Sequence, residues 1–301
     1  MDTKWYAIII LAITLVILLG WWIWHYSYKV PNDLKKFALQ FFFKNIPNYK
    51  LDQLKKIQKI HLGYTNVSFY IEMNDGCQFQ LRFARNNQIV DRKNEEKVLE
   101  LLGKNNYVYL DKYGNYIKKW VEGRNIEKKE ITPDFILKLN EKIANFHQIE
   151  VKNDFILKHD YDKVNIAKKV PKKYLSIYKQ YLNLLDKKDW VLSHNDLNLD
   201  NILVNDNEII FIDFEWTRIN HPYWDIANFC RETKFSHEQL KKIAQQVGIP
   251  KEQFFYMYFI CLCYAYNWTF ENSFSFKILK YRLQTLKQIV LMANNLKQLT
   301  N

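Results

Sequence analysis

The stretch HNDLNLDNILVNDNEIIFIDFEW, residues 194–216, carries the polar side chains that decide the fold. It places Asp196 and Asn201 on one short loop, and Asp213 follows the apolar run IIFI. The segments NILVN and IIFIDF predict a hairpin with NDN at its tip. A carboxylate surrounded by Ile and Phe is costly to bury without a partner. We therefore expect Asp196, Asn201 and Asp213 to converge on a common ligand.

The spacing of these residues matches two motifs of the kinase fold. His194-x-Asp196-x-x-x-x-Asn201 matches the catalytic loop, and Ile212-Asp213-Phe214 matches the metal-binding Asp-Phe that follows one hairpin later. In that arrangement Asp196 accepts or orients the proton of an acceptor hydroxyl, while Asn201 and Asp213 offer oxygen ligands to Mg²⁺. We expect His194 only to hydrogen-bond the loop backbone. The motifs predict phosphoryl transfer.

Periodicity separates a strand-rich region from a helical one. VSFYIEM and CQFQLRFA, joined by NDG, predict a β-hairpin, and NEEKVLELLG predicts a helix closed by Gly103. Residues 33–60 predict an amphipathic helix, broken near residues 45–49. From Thr132 onward the pattern is mostly helical, with Thr132 and Pro133 as a helix start.

The fold class that these patterns predict is α+β. We expect a two-lobed protein-kinase-like fold, with a small antiparallel-sheet N-lobe at residues 31–122, a larger mostly helical C-lobe at residues 123–301, and one transmembrane helix before them at residues 1–30.

The membrane prediction rests on Tyr6–Trp24, a run without charge that is about 28 Å long as a helix. A cleavable signal peptide is the alternative, but bulky tryptophans follow Gly20. Lys4 precedes the run and three lysines follow it by residue 36, which predicts a single-pass protein of the cell membrane with its catalytic body in the cytoplasm.

Composition narrows the partners. The net charge of +12 permits a polyanionic partner, an anionic lipid surface or a phosphorylated small molecule. Most lysines fall in solvated helical patterns, so we expect no nucleic acid. The four cysteines form no CxxC pair, which argues against zinc and disulfides.

The sequence has no P-loop, so a nucleotide must be held differently. GYTN, residues 63–66, precedes a strand, and its Thr65 and Asn66 are candidates to cover phosphates, although an ordinary turn fits equally well. Arg82 lies mid-strand, where kinases place a phosphate-holding cation, and Glu95 opens the next helix as its partner, with Glu96 as the fallback.

Residues 193–232 resemble the signature region of the choline/ethanolamine kinases, especially the bacterial choline kinases, within the wider aminoglycoside phosphotransferase and protein-kinase-like fold. GYTN, QLRFA, DRKNEEKVLELL, KKWVEGRNI and IANFHQI follow the family's order. The single glycine of GYTN and Trp216, where a tyrosine is common, depart from its pattern.

The resemblance implies ATP and Mg²⁺ as cofactors and assigns roles by position. Asp196 would be the catalytic base, Asn201 and Asp213 would hold magnesium, and Asp225 would brace the catalytic loop. Arg82 and Glu95 would form the phosphate-holding pair, and Lys119–Glu122, ending at Glu122, would be the hinge beside adenine.

A small molecule is the expected acceptor, because Asp225 follows Asp213 by only twelve positions, too few for a peptide platform. Trp216 and Trp268, with Tyr223 or Trp224 as a third wall, could cage a quaternary ammonium, and Glu215 could offset its charge. We predict choline as the substrate and ethanolamine as the second choice. An aminoglycoside-type acceptor and a membrane-tethered pseudokinase scaffold are the alternatives.

Overall fold

The computed structural model of the protein describes residues 3–28, 32–60, 66–84, 90–152, 155–206, 208–271 and 275–297. The chain divides into two compact units. The first, here named the sheet unit, comprises Met1–Arg85, Asn106–Asp111 and Asn115–Trp120. The second, the helical unit, comprises Asn86–Asn105, Lys112–Gly114 and Val121–Asn301.

The sheet unit contains a five-stranded antiparallel sheet with the strand order β1-β2-β3-β5-β4. The strands are β1 (Leu54–Ile60), β2 (Asn66–Met73), β3 (Gln78–Ala84), β4 (Tyr107–Leu110) and β5 (Tyr116–Lys119). The turn between β2 and β3 contains Gly76 at φ 88°, a conformation that costs a residue without a side chain little. The predicted hairpin is thus confirmed.

The core of the sheet unit follows from alternation along β2. Phe69, Ile71 and Met73 are buried because alternate residues of a strand point to the same face. Helix α2 (Asn32–Asn45) supplies Ala38 and Phe42 to the same cluster.

The predicted helix over residues 33–60 is correct as far as α2 and wrong beyond it. Leu54, Ile57 and Ile60 have helical spacing, yet they lie in β1, which pairs with β2 along nearly its whole length. The ladder of backbone hydrogen bonds with β2 outweighs the local pattern, since strand formation depends strongly on context.

The predicted transmembrane anchor coincides with α1 (Thr3–Tyr28). Within the portion of the chain that the structure describes, no helix combines the length and the apolar character needed to cross a bilayer. The prediction of a membrane-spanning segment is therefore not supported.

The helical unit contains eight helices and five short strands in its described residues. The helices are α3 (Arg92–Leu102), α4 (Pro133–His147), α5 (Asp162–Ala167), α6 (Lys172–Leu184), α7 (Trp224–Thr233), α8 (His237–Gln246), α9 (Lys251–Trp268) and α10 (Phe276–Lys297). The strands are β6 (Arg124–Asn125), β7 (Val191–Ser193), β8 (Ile202–Asn205), β9 (Glu208–Phe211) and β10 (Arg218–Asn220).

Local sequence fixes the ends of these helices. Thr132 caps α4 by accepting a hydrogen bond from the Phe135 N–H, as the Thr-Pro pair predicts.

Helix α9 is apolar around most of its circumference because α6, α7 and α10 pack against it. Its Cys261 and Cys263 are buried free thiols.

Helix α3 belongs to the helical unit, although the predicted boundary near residue 122 placed it in the N-lobe. Asn94 explains this assignment. Its Nδ2 donates to the Thr217 carbonyl at 2.9 Å, and its Oδ1 accepts from the Leu157 N–H at 2.7 Å. These buried hydrogen bonds join α3 to the segment that follows Asp213.

Candidate active site

The loop between β7 and β8 is held by one carboxylate on the first turn of α7. The Asp225 Oδ2 accepts from the His194 N–H at 3.0 Å, and its Oδ1 accepts from the Asn195 N–H at 2.9 Å. His147 Nε2 lies 3.0 Å from the same Oδ2. Burial alone would raise the pKa of Asp225, but the hydrogen bonds from His147 and the backbone outweigh it, so that pKa lies below its usual value. Asp225 thus braces the loop as a carboxylate.

His194 connects the loop to the segment after β9. Its Nδ1 accepts from the Asp196 N–H at 3.4 Å, so its Nε2 carries the proton and donates to the Ile212 carbonyl at 3.0 Å. Burial lowers the pKa of His194, which keeps the ring neutral in that tautomer. These bonds give His194 the structural role that the sequence predicts.

Asp196 and Asn201 are brought into direct contact by a short 3₁₀ turn, Leu199–Asn201. Asn198 caps this turn by accepting from the backbone N–H groups of Asp200 and Asn201. The Asn201 Nδ2 then donates to the Asp196 Oδ2 at 3.0 Å and to the Asp196 carbonyl at 2.9 Å. The Asn201 Oδ1 accepts no hydrogen bond from any residue that the structure describes. That oxygen is therefore available to a cation.

Asp213 opens the turn Phe214–Trp216 in the left-handed region, at φ 64°. This backbone conformation costs a residue other than glycine about 1–3 kcal/mol of stability, which the surrounding structure must offset. The Ile212 N–H donates to the Asn201 carbonyl at 3.1 Å, so the turn is tied to the loop that carries Asn201. Asp213 thereby stands close to the catalytic loop.

Three carboxylates meet at this turn. One oxygen each of Glu95, Asp213 and Glu215 lies within 4.8 Å of the others. Together with the Asn201 Oδ1, this is an all-oxygen donor set, which suits a hard cation such as Mg²⁺. The residues predicted to hold magnesium thus fit that role chemically.

Arg92 lies between two of these carboxylates and was missed from the sequence. Its Nη1 is 2.7 Å from the Glu95 Oε2 and 2.9 Å from the Glu215 Oε2, and all three side chains are buried. Both glutamates therefore have Arg92 as a partner, including Glu215, which the sequence assigned to the substrate. The only signal was its place three residues before Glu95 on a predicted helix.

The residues predicted to bind the nucleotide lie on different elements of the fold. Arg82 is buried in the middle of β3, where its guanidinium lies 4.1 Å from the Tyr116 ring centroid. Asn66 begins β2, whereas Thr65 lies outside the described residues. Glu122 is exposed and follows β5. The predicted pair of Arg82 with Glu95, and the hinge role of Glu122, stay predictions.

The predicted ammonium cage also stays a prediction. Trp216 is half-buried, and its carbonyl accepts from the Asn195 Nδ2 at 3.0 Å. Trp268 ends α9 with its ring centroid 6.2 Å from that of Tyr281. Trp224 is only 2% exposed, because His159 and Tyr264 pack against its ring. This packing makes Trp224 part of the core and gives no support to its predicted place as a cage wall.

A second charged cluster beside Asp196 was not foreseen. Burial raises the pKa of Asp196 well above its usual value, and the carboxylates of Glu232 and Asp213 add to this rise. Arg231 lowers the pKa of Asp196, but by less. Glu232 and Arg231 are thus close enough to Asp196 to influence it. Both lie two turns after Asp225 on α7, and this helical spacing was the available signal.

Solved structures that resemble this protein identify its fold class. Choline kinase from Cryptosporidium parvum has a TM-score of 0.68 at 17% identity, covering 88% of this chain and 97% of that one. The GDP complex of an aminoglycoside 2′-phosphotransferase has a TM-score of 0.66 at 15% identity, covering 86% and 99%. The predicted kinase-like fold, with its antiparallel-sheet N-lobe and helical C-lobe, is confirmed.

The family follows from sequence. Residues 57–258 match choline/ethanolamine kinase. An uncharacterized protein of Mycoplasma pneumoniae is 31% identical over 245 residues, which are 77% of this chain and 84% of that protein. The chain belongs to the choline/ethanolamine kinase family and is a small-molecule phosphotransferase. Family membership implies that it binds a nucleotide.

Proposed function

We propose that the protein transfers the γ-phosphoryl group of ATP, with Mg²⁺, to the hydroxyl of a small amino alcohol. The observation that carries this proposal is the contact of Asp196 with Asn201 on a loop that is hydrogen-bonded to the backbone before Asp213. Phosphoryl transfer needs a positioned acceptor hydroxyl and metal ligands, and these side chains supply both.

Each residue of the site has a task in this reaction. Asp196 orients the acceptor hydroxyl and takes up its proton, and a raised pKa makes its carboxylate a better proton acceptor. The Asn201 Oδ1 and Asp213 would hold magnesium, which neutralises phosphate charge when bound. His194 and Asp225 keep the loop in place. The residues of this chain thus position the reactants, which is the main requirement of this chemistry.

Choline is the favoured acceptor within this class, and ethanolamine is the second candidate. The Glu232 carboxylate raises the pKa of Asp196, so a negative group acts on the proposed acceptor site and favours an alcohol with a positive nitrogen. Trp216 and Trp268 could supply ring faces to a quaternary ammonium. The name of the Cryptosporidium parvum relative points the same way.

A panel of acceptors tests the proposal. Purified protein would be given ATP and Mg²⁺ with choline, ethanolamine, an aminoglycoside or glycerol, and ADP release would be measured. We expect turnover with choline, a lower kcat/KM with ethanolamine, and no turnover after chelation of the metal. Efficient turnover of the aminoglycoside alone would contradict the amino alcohol, and no turnover of any acceptor would contradict the kinase activity.

A further inference from the structure

Strand β6 pairs with the hairpin that has the proposed metal ligands at its two ends. The hairpin consists of β8 and β9, with Asn201 directly before β8 and Asp213 two positions after β9. The strand order of this sheet is β6-β8-β9, and Asn125 of β6 lies opposite Leu203 of β8. Because β6 belongs to a different part of the chain, its contact with β8 adds a constraint that the catalytic loop cannot supply by itself.

Gly123 allows β6 to approach β8 closely. Its φ is 140°, a conformation that residues with a side chain rarely adopt. A Cβ atom at this position would lie 3.1 Å from the Leu203 Cβ and 3.3 Å from the Val204 carbonyl oxygen, which is tighter than ordinary van der Waals contact. The missing side chain of Gly123 therefore lets the next residues of β6, Arg124 and Asn125, lie against β8.

The side-chain amide of Asn125 binds the backbone around the 3₁₀ turn that positions Asn201. Its Nδ2 donates to three carbonyls, at 3.0, 3.0 and 3.4 Å, which are those of Leu199, Asp200 and Ile202. The carbonyl of Asn201 itself accepts from the Ile212 N–H. A helical turn leaves its last carbonyls without partners of its own. Asn125 supplies these partners from another part of the chain.

Two asparagines thus hold the turn from its two ends. Asn198 accepts from N–H groups at the start of the turn, and Asn125 donates to carbonyls at its end. Asn125 is exposed, so water can replace its amide as a partner of these carbonyls. Loss of the amide should therefore cost little global stability, but it would leave the turn free to adopt conformations in which the Asn201 Oδ1 is displaced.

We propose that Asn125 is a positioning residue that holds the Asn201 Oδ1 in place for the divalent cation and so sets the metal affinity of the site. The proposal rests on the proposed function, in which Asn201 holds magnesium. A site that is correctly arranged for only a fraction of the time binds its ligand with an affinity reduced by that fraction, whereas saturating ligand restores the correct arrangement. Groups that orient a metal ligand typically change metal affinity about 10–100-fold when they are removed.

Asn125→Leu removes the donor and keeps the approximate size of the side chain. With saturating ATP and choline, we expect the Mg²⁺ concentration for half-maximal ADP release to rise about tenfold. At saturating Mg²⁺ we expect kcat to stay within about twofold of that of the unaltered protein. Gly123→Ala, which would push β6 away from β8, should shift the Mg²⁺ dependence in the same direction. A loss of kcat that excess Mg²⁺ does not restore would contradict the proposal.

Asn74→Leu is the matched control, because Asn74 is another exposed asparagine whose Nδ2 donates to a distant backbone carbonyl, that of Asp52, at 3.2 Å. A second control is Lys241→Met, which breaks an exposed ion pair with Glu238 on α8. Both should leave the Mg²⁺ dependence unchanged. Urea denaturation should give Asn125→Leu and Asn74→Leu similar midpoints. If Asn125→Leu lowers stability but leaves the Mg²⁺ dependence as it was, Asn125 is only structural and the proposal is wrong.

Metal binding without turnover distinguishes this proposal from the proposed function. The protein would be titrated calorimetrically with Mn²⁺ at a fixed ADP concentration, and the heat of Mn²⁺ binding to ADP alone would be subtracted. We expect the Kd for Mn²⁺ to rise about tenfold in N125L. Because Asn125 acts through Asn201, the double variant N125L/N201A should bind Mn²⁺ with the same Kd as N201A.

The outcomes of this titration separate the two proposals. If no acceptor is turned over, the kinase activity is contradicted, yet a higher Kd for Mn²⁺ in N125L alone would still support the role of Asn125. If the unaltered protein turns over choline and N125L binds Mn²⁺ as tightly, the kinase activity stands and the role of Asn125 is contradicted. Absence of Mn²⁺ binding to the unaltered protein, or an equal effect of N125L in the N201A background, would also contradict it.

Discussion

Two buried arginines of the helical unit, Arg92 and Arg231, have different surroundings. Arg92 is shared by the carboxylates of Glu95 and Glu215, with Asp213 close to both. Arg231 has one carboxylate, Glu232, and otherwise contacts the neutral groups of Asn228 and Tyr281. The first group has more carboxylates than guanidinium groups and suits a metal cation, whereas the second is balanced. The same pair of residue types thus forms a carboxylate-rich group in one place and a charge-balanced pair in the other.

The largest expected effect is the loss of kcat on replacing Asp196, which neither arginine replacement should match. Replacing Asp196 with Asn keeps its shape but removes the proton acceptor, so we expect kcat to fall about 10²–10⁴-fold. ADP release with choline measures it. Asp200→Asn, on the same 3₁₀ turn but exposed, is the matched control and should keep its activity. Equal rates in the two variants would show that Asp196 is not the base.

Arg92→Met should cost more stability than Arg231→Met. Removing Arg92 leaves Glu95 and Glu215 buried without it, which we expect to lower the free energy of unfolding by about 3–5 kcal/mol. Glu232 is partly exposed and can be hydrated, so removing Arg231 should cost about 1–3 kcal/mol.

Urea denaturation at neutral pH measures both values, and Lys241→Met should unfold at the same urea concentration as the unaltered protein. Equal costs for Arg92→Met and Arg231→Met would remove the distinction between a carboxylate-rich group and a balanced one.

His159 provides a smaller effect, on the pH dependence of stability. Its ring is buried against the ring of Trp224. Burial, helped by the charges of Arg218 and Lys163, lowers the pKa of His159 to about 3, against about 6.5 in an unfolded chain. The unfolded state therefore binds a proton below pH 6.5 that the folded state does not, and stability is lost as the pH falls through this range. His159→Phe removes this loss.

Relative to the unaltered protein, the His159→Phe variant should gain about 2 kcal/mol of unfolding free energy between pH 7.5 and pH 5. Urea denaturation at both pH values measures the gain. If the stability difference between the two proteins does not change with pH, the folded protein takes up a proton at His159 over the same pH range as the unfolded chain.

The smallest effect concerns the cap of the 3₁₀ turn that carries Asn201. Asn198→Ala removes an acceptor for two backbone N–H groups and should cost about 1 kcal/mol of stability. Because the same side chain also donates to the Asp196 carbonyl, kcat should fall by less than in Asp196→Asn. Thermal unfolding and ADP release check the two parts, and a stability equal to that of the unaltered protein would show that the cap is unimportant.

The sequence placed Asp196 and Asn201 on one short loop, which limits how far they can separate, and the structure brings the two side chains into contact. It also predicted the β2–β3 hairpin, whose Asn-Asp-Gly turn allows few alternatives. The helical interpretation of β1 failed since its partner strand, and not its own period, decides its conformation.

Long-range pairs were beyond such reasoning. Tyr281 and Glu232 are 49 positions apart, and Arg92 and Glu215 are 123 apart, so no local pattern relates them. Charged residues on a predicted helix are usually assigned to solvent, and the packing of α7 against α9 and of α3 against the turn after Asp213 is what buries these.

The left-handed backbone at Asn195 and Asp213, both at φ 64°, limits which mutations this site tolerates. Asparagine, aspartate and glycine adopt that conformation most readily, and among them only aspartate brings a carboxylate to position 213. At position 195 a glycine would keep the backbone but lose the amide that reaches Trp216 and Asn220. Neutral drift at these two positions is therefore confined to very few codons, whatever acceptor the enzyme comes to use.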